Sequence, residues 1–589
     1  MVAVVRGEEG VSRTAATLRL STRRGGGGGK WPARGSVRRD DPGCPGRCEL
    51  LCRAPGPKPC APEPLRKAVV MILGASEPSE PSESSAAERP EVRAAVGTVR
   101  GRREAGVAVF RGIPFAEPPV GALRFAAPRP ARGWDGVRSA LAYGPPPPQG
   151  GALGMAEFAR GAVGDDWLTV NVWSPDPGPG AGLAVMVWIQ GGAYTVGMSG
   201  LPEYDGARLA RDGGVVVVTF NYRVGFEGFG LIEGAPANRG LLDQIAALMW
   251  VQDNIRAFGG DPGRVTVFGQ SAGGGSVAAL SAMPRAVGLF GRAVAQSVQG
   301  TFFAPELAAD VAAKCAAELG LRSTVAELSE VEPELLSAAG DAVAAGITRW
   351  AGRWGRVAHG ATPFAPVVDG DTLPATPWRA LADGVGRDVP LLVGHTRDEQ
   401  RLLTLLDGLL GEVTEEQAAT AMDVFGPERD AARRYRAGYP HASPEELYEL
   451  VRSDRLFRMP SLHLAEARIA GGGRAHMYEL TWSAPGMGGV LGACHGLDVP
   501  LVFGNLDRGQ PALLFGDGPT EEAEALSARM RAAWTAFARD GDPGWPAYEP
   551  KSRRTRVFAD EPTVAAYPEE ASRRIWAGEP MSASTVAEG

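Results

Sequence analysis

Residues 265–277, with the sequence VTVFGQSAGGGSV, decide the fold of this chain. Residues 265–268 are mostly β-branched or aromatic and predict a buried strand. The next five residues, Gly-Gln-Ser-Ala-Gly, match the G-x-S-x-G pattern and lead into an Ala-rich segment that is typical of a helix. We therefore expect a strand, a sharp turn and a helix, with Ser271 at the turn.

The spacing of this motif has a steric reason. A serine on a strained turn needs very small residues two positions away on each side, so that strand and helix can approach closely, and Gly269 and Gly273 meet that need. The amino end of the following helix favours negative charge beside Ser271. The motif therefore predicts that Ser271 is a nucleophile, and that the amino end of the helix stabilises an oxyanion formed there.

Composition limits the classes of function. The 589 residues are 44% hydrophobic and carry a formal net charge of −7, which allows a large core and argues against nucleic-acid binding. No run of about 18 apolar residues predicts an integral membrane segment. The sequence indicates no oligomeric state.

The front of the chain differs from the rest. Residues 1–90 are first basic and then rich in Ser, Glu and Pro, a composition that predicts a disordered extension. Met71 is a candidate for the true first residue. Four of the six cysteines lie in this extension, at a spacing that is not typical of a zinc site, so no metal is expected: Cys44, Cys48, Cys52 and Cys60. A globular domain is expected over residues 91–580, and a flexible tail over residues 581–589.

The globular part alternates apolar runs with helical patterns. Strands are predicted at 107–110, 167–173, 184–190, 215–220, 265–268, 292–296, 389–395 and 475–480, and helices at 240–257, 305–319, 414–424, 444–470 and 520–538. This alternation predicts an α/β fold with a large, mostly parallel sheet, helices on both faces, and helical insertions such as 301–365 and 402–460 over the carboxyl ends of the strands.

A serine nucleophile needs a base, and six histidines are candidates. Five of them lie in predicted helices or strands, or in loops that follow no strand: His359, His395, His441, His463 and His476. His495 instead follows the last strand within a Gly-rich loop, from which a side chain can reach back over the sheet edge. His495 is therefore the predicted base.

A carboxylate must orient this base. The strand at 389–395 runs directly into Asp398 and Glu399, either of which could serve. The order of serine, acid and histidine along the chain is that of α/β-hydrolases. Oxyanion donors are expected from Ala272 and from the Gly-Gly turn that follows the strand at 184–190.

From about residue 92 to residue 576 the chain resembles the type-B carboxylesterase family, which includes the cholinesterases. The blocks that carry the resemblance are 110–116, 118–121, 166–173, 188–194, 221–223, 238–244, 258–274 and 492–496.

The resemblance implies an α/β-hydrolase fold and a residue-by-residue site. Ser271 would be the nucleophile, Glu399 rather than Asp398 the acid, and His495 the base. The N–H groups of Gly192, Ala193 and Ala272 would form the oxyanion hole. The implied reaction is hydrolysis of neutral, small to medium esters through an acyl-enzyme, with neither metal nor organic cofactor.

The chain departs from the family pattern at several positions. Gln270 replaces a common Glu before the nucleophile, which removes a negative charge and makes choline esters poor candidates. Gln190 replaces a His, so a supporting hydrogen bond must be remade. Trp167 replaces a disulfide cysteine, which favours a cytoplasmic or at least disulfide-free enzyme. Gln400 and Asp498 replace a Gly and a Glu.

Two alternatives stay open from the sequence. The same residues could cleave amides, carbamates or thioesters, or the chain could be a non-catalytic, cholinesterase-like binding protein. Aromatic side chains in the insertions are candidates to shape the substrate pockets, although most such residues are core: Phe302, Phe303, Trp350, Trp354 and Phe457.

Overall fold

The computed structural model describes residues 89–151, 164–360, 362–427 and 430–587. The predictions of disorder, of the front cysteines and of Met71 concern residues outside these ranges. The strands of the described part are β1 (Glu91–Ala94), β2 (Gly97–Arg100), β3 (Arg102–Glu104), β4 (Val107–Pro114), β5 (Val137–Ser139), β6 (Thr169–Ser174), β7 (Leu183–Ile189), β8 (Val216–Phe220), β9 (Gly260–Gln270), β10 (Arg292–Gln296), β11 (Leu391–Thr396), β12 (Ala475–Leu480), β13 (Arg554–Phe558) and β14 (Thr563–Ala566).

A mixed sheet of 11 strands forms the centre of the fold, in the order β14-β13-β12-β11-β10-β9-β7-β8-β6-β4-β3. The strands from β13 to β8 run parallel. The outer strands at both ends pair antiparallel. The predicted α/β class with a mostly parallel sheet is confirmed, and β1, β2 and β5 form a separate small sheet.

The sheet is buried on both faces. In β7, Val185 and Val187 belong to one buried cluster while Met186 and Trp188 belong to another, because successive side chains of a strand point to opposite faces. Fully burying each such side chain contributes roughly 1.5–3 kcal/mol. These parallel strands therefore read as continuous apolar runs rather than as alternating ones.

Helices cover both faces. The α-helices of the described part are Ala207–Gly213, Gly225–Phe229, Arg239–Asn254, Ala272–Leu280, Pro305–Glu318, Val325–Leu328, Pro333–Ala345, Ala351–Trp354, Pro377–Ala382, Arg401–Leu406, Glu415–Phe425, Ala431–Gly438, Pro444–Ser453, Met459–Ala470, Asp498–Phe503, Glu521–Asp540 and Glu570–Ile575. None of them is long and apolar enough to cross a membrane.

The single helix predicted over 444–470 is wrong, since a π-helical turn at Asp454–Arg458 separates two helices there. Pro460 has no N–H with which to reach the carbonyl of Leu456. That carbonyl instead accepts a hydrogen bond from the N–H of Gly300, at 3.0 Å. The interruption thus ties this insertion to the loop that follows β10.

The predicted tail meets the insertion at 301–365. Ser584 of the tail donates its N–H to the carbonyl of Phe302 at 2.7 Å, and its carbonyl accepts from the N–H of Ala304 at 2.8 Å. Both segments contribute to the lining of a cavity above the carboxyl ends of the central strands.

Candidate active site

Ser271 lies on a strained turn between β9 and the helix Ala272–Leu280. Its φ of 60° and ψ of −124° are unusual for a residue with a side chain. A Cβ atom on Gly273 would lie 2.0 Å from the carbonyl oxygen of Ile189, and one on Gly269 would lie 2.7 Å from the Gly273 backbone. Only glycine fits at these two positions, which gives the G-x-S-x-G spacing its physical basis.

The structure brings His495 and Glu399 together. Nδ1 of His495 lies 2.5 Å from Oε2 of Glu399, which is fully buried. The other carboxylate oxygen, Oε1, accepts a hydrogen bond from the N–H of Thr396 at 2.9 Å. The Glu399 carboxylate can therefore fix both the tautomer and the orientation of the imidazole.

Asp398 has a different position. Its Oδ2 accepts a hydrogen bond from the N–H of Ala493 at 2.8 Å, and its carboxylate pairs with Arg397. The N–H of Asp398 donates to the carbonyl of Ala493 at 2.9 Å. Asp398 thus holds the loop that carries His495 and does not contact the imidazole.

The electrostatics favour an ionised Glu399. Burial acts to raise the pKa of this carboxyl group, but His495 and the hydrogen bonds outweigh that effect and hold the pKa below its ordinary value. An ionised carboxylate stabilises the positive charge that the imidazole carries when it accepts a proton.

Three other histidines lie elsewhere, with His395 and His476 buried and His463 partly buried. His395 contacts the hydroxyl of Tyr567 and the carbonyl of Thr396, and burial lowers its pKa to about 4. Burial also lowers the pKa of His463 to about 4. His476 contacts the carbonyl of Trp545. Their positions agree with the exclusion of these side chains as the base.

Three backbone N–H groups in the two turns around Ser271 were predicted as oxyanion donors. Gly192 and Ala193 have φ values of 112° and 55°, which turn the chain sharply after β7. Within the described ranges, no protein acceptor takes the N–H of Gly192, Ala193 or Ala272. A Cβ atom on Gly191 would lie 3.2 Å from that of Ser271, so this turn lies against the nucleophile.

Two glutamines distinguish the surroundings of the site. Nε2 of Gln270 lies 3.1 Å from Nε2 of His495. Since Nδ1 of the imidazole faces Glu399, its Nε2 can accept a hydrogen bond from the Gln270 amide. The Gln190 carboxamide is buried and has no hydrogen-bond partner among the described residues, so its side chain does not remake the supporting hydrogen bond expected near this position.

One cavity of about 230 Å³ joins these groups. Ser271, His495, Gln270 and the Gly192–Ala193 turn line it, together with residues of both helical insertions. Of the five aromatic candidates only Phe457 belongs to the lining, and its ring lies 4.2 Å from that of His495. The other four pack elsewhere: Phe302, Phe303, Trp350 and Trp354.

The cavity also contains charged side chains that the sequence analysis missed. These are Glu203, Arg356, Arg452 and Arg455. Glu203 follows the Gly-rich turn within Pro-Glu-Tyr, and nothing in that pattern indicates that a carboxylate turns inward. Among the described residues, no group of three or more His, Cys, Asp or Glu is arranged to hold a metal ion.

Known proteins are similar to this chain over most of its length. The model of the carboxylesterase family matches residues 88–576. The para-nitrobenzyl esterase of Bacillus subtilis (strain 168) is 38% identical over 495 residues, which cover 81% of this chain and 96% of that enzyme. The phenmedipham hydrolase of Pseudarthrobacter oxydans is 35% identical and covers 80% of this chain and 96% of its own length.

Solved structures agree with this match. The carboxylesterase EST55 of Geobacillus stearothermophilus superposes with a TM-score of 0.73 at 35% identity, over 82% of this chain and 99% of that one. The match covers nearly the whole of that enzyme, so the two chains share the α/β-hydrolase fold.

Proposed function

The chain belongs to the carboxylesterase family and is a carboxylic ester hydrolase, and from this premise we propose that Ser271, His495 and Glu399 carry out the reaction. The observation that carries the proposal is the contact of 2.5 Å between His495 and Glu399, in a cavity that Ser271 also lines. A non-catalytic binding role and the cleavage of other acyl bonds are not favoured.

The first half of the reaction forms an acyl-enzyme. Oγ of Ser271 attacks the ester carbonyl carbon while Nε2 of His495 takes the hydroxyl proton, and Glu399 stabilises the resulting imidazolium. The N–H groups of Gly192, Ala193 and Ala272 donate to the oxyanion of the tetrahedral intermediate. The intermediate then expels the alcohol, which receives the proton from His495.

The second half releases the acid. Water attacks the acyl-enzyme carbonyl as His495 accepts a proton from it, and Oγ of Ser271 leaves with that proton. Gln270 competes with Ser271 for Nε2 of the base, so its amide must turn away before proton transfer. The cavity of about 230 Å³ and its many apolar side chains support neutral, small to medium esters as substrates.

The replacement of Ser271 by Ala tests the proposal. Hydrolysis of a p-nitrophenyl ester should fall by about 10⁴-fold or more, because the variant lacks the hydroxyl that forms the acyl-enzyme. Ser281→Ala is a matched control, since that hydroxyl lies at the other end of the same helix and donates only to the carbonyl of Val277. Retention of most activity in Ser271→Ala would reject the assignment.

A cytoplasmic location is part of the proposal. In the described part of the chain, Cys315 and Cys494 are both buried free thiols, and burial raises the pKa of Cys315 to about 12. Free thiols persist in a reducing compartment. Fractionation of the native host, with activity recovered outside the cytoplasmic fraction, would contradict this part.

A further inference from the structure

The carboxyl-terminal tail, residues 581–587, lies against the segment that follows β10. Ser584 pairs with Phe303 as in a parallel sheet, with backbone hydrogen bonds of 2.7 and 2.8 Å to the residues on either side of Phe303. The model of the carboxylesterase family matches residues 88–576, so this tail lies beyond the matched part of the chain. Its contacts are therefore a property of this chain.

Apolar contacts also hold the tail in place. Met581 is 7% exposed and belongs to the main core cluster, while Ala583 and Val586 pack against that cluster. At the end of the described tail, the N–H of Ala587 donates to the carbonyl of Arg353 at 2.8 Å. Both side chains and backbone groups thus attach the tail to the globular part.

The segment that receives the tail also contacts the nucleophile. At its start, the N–H of Gln299 donates to the carbonyl of Ser271 at 3.3 Å. Further along, Phe303 pairs with Val367 on one edge and with Ser584 on the other. The tail therefore fixes one edge of a segment whose first residue touches the nucleophile.

Ser584 is part of the cavity wall as well. It lines the same cavity as Ser271, and so do Thr301 and Val357, which belong to the two regions that the tail joins. Successive side chains of extended backbone point to opposite sides. Since Ala583 packs against the core, the half-buried side chain of Ser584 lies on the opposite side, toward the cavity.

We propose that the tail is a specificity-determining wall of the substrate cavity, in which Ser584 limits the length of the ester chain that fits beside Ser271. The proposal rests on the proposed function of this cavity and narrows it, because the tail then sets a boundary between short and long neutral esters. In a cavity of about 230 Å³, the volume of one wall side chain matters. Burial of two further CH₂ groups changes affinity by about 10-fold.

Ser584→Trp and Ser582→Trp form a matched pair for the test. Both variants carry the same large side chain in the tail, but Ser582 is exposed whereas Ser584 lines the cavity. Neither substitution removes a backbone donor or acceptor. The acyl side is measured with p-nitrophenyl octanoate against p-nitrophenyl acetate, and the alcohol side with octyl acetate against ethyl acetate.

In at least one of these series, Ser584→Trp should lower the ratio of kcat/KM for the long ester to that for the short ester by about 10-fold. The kcat/KM for the short ester should change by less than about 3-fold, because the reacting groups are untouched. Ser582→Trp should keep the wild-type ratio. The same ratio in Ser584→Trp and wild type in both series, or an equal fall in Ser582→Trp, would overturn the proposal.

Removal of the tail should act in the opposite direction. A chain that ends at Pro580 lacks this wall, so the ratio for the long ester should rise by about 10-fold above the wild type. Circular dichroism measured beside the kinetics shows whether the shortened chain is folded, and if it is unfolded the two Trp variants decide the outcome. A fall of the ratio in a folded shortened chain would overturn the proposal.

The binding of 1-butanol and 1-octanol separates this proposal from the proposed function, because neither alcohol is hydrolysed. The change in Tm caused by 1-octanol should be more positive in Ser582→Trp than in Ser584→Trp, and the change caused by 1-butanol should be equal in both. If short esters are hydrolysed but the two variants agree in every ratio and Tm change, only the wall fails. If the Tm changes differ as expected while no ester is hydrolysed, the proposed function fails and the wall stands.

Discussion

Two buried glutamates differ in their electrostatics: Glu399, in the loop after β11, contacts His495, and Glu203, in the turn region after β7, belongs to the residues around the cavity that His495 lines. Glu399 faces His495 and a backbone N–H, and its pKa lies below the ordinary value. Glu203 has an oxygen without a donor among the described residues, and its pKa is raised to about 7. Burial alone therefore does not decide the charge of a carboxyl group; its partners do.

Asp498 is an intermediate case, at the start of the helix that follows His495. Its Oδ2 accepts hydrogen bonds from Gln296 at 2.9 Å and from Tyr478 at 2.8 Å, while Oδ1 has no partner among the described residues. Burial raises its pKa to about 6 despite these two neutral donors. The three carboxyl groups thus form a series ordered by the strength of their partners.

The largest expected effect is on activity, in Glu399→Gln. We expect kcat to fall by about 10⁴-fold, because an amide neither fixes the imidazole tautomer nor stabilises the imidazolium. Asp398→Asn is the matched control. Its new oxygen can still accept from the N–H of Ala493, and the loss there should stay below about 10-fold. Equal losses of kcat in the two variants would contradict the assignment of Glu399, rather than Asp398, as the acid that orients His495.

The next effect is on stability, and its dependence on pH has opposite signs at the two glutamates. The raised pKa of Glu203 means that the folded state holds a proton that the unfolded state has lost between pH 4.5 and about 7, so stability falls as pH rises through that window. Glu203→Gln should therefore stabilise the protein increasingly with pH, by about 3 kcal/mol at about pH 8.

Glu399→Gln should behave in the opposite way. The lowered pKa of Glu399 contributes stability that is present above the ordinary value of 4.5 and is lost as pH falls through the folded-state pKa. The variant should thus be destabilised at about pH 8 and approach the wild type in acid. Urea unfolding at several pH values measures both variants, and parallel pH profiles would contradict the comparison.

The smallest effect is expected at Asp498. Asn can present one oxygen to both Gln296 and Tyr478, so kcat for a neutral ester should change by less than about 10-fold in Asp498→Asn. The wild-type stability should decrease as pH rises from 3.8 to about 6, and the variant should lack this decrease. A loss as large as that of Glu399→Gln would show that Asp498 belongs to the proton-transfer chemistry instead.

The sequence predicted the parallel strands and the neighbourhood of the nucleophile, because local patterns determine them. The apolar run of β9 and the spacing of Gly269 and Gly273 around Ser271 need no information from distant residues. The choice between Asp398 and Glu399 needed the family resemblance, since only the fold determines which carboxylate faces His495.

Other features depend on contacts between distant segments. The break near Pro460 follows from a bond between the carbonyl of Leu456 and Gly300, which lies far away in the sequence. The inward position of Glu203 depends on Gly509, a neighbour in space only. For Gln190 the sequence indicated a need for a hydrogen bond, but not that the carboxamide has no partner in the described structure.

The proposed reaction depends on Ser271 as the residue that carries the acyl group. The most direct test treats the full-length protein with a fluorophosphonate and locates the adduct by mass spectrometry of proteolytic peptides. We expect one adduct, on Ser271, which forms rapidly in the wild type and far more slowly in Glu399→Gln. An unlabelled Ser271, or an adduct on another serine with activity lost in proportion, would contradict it.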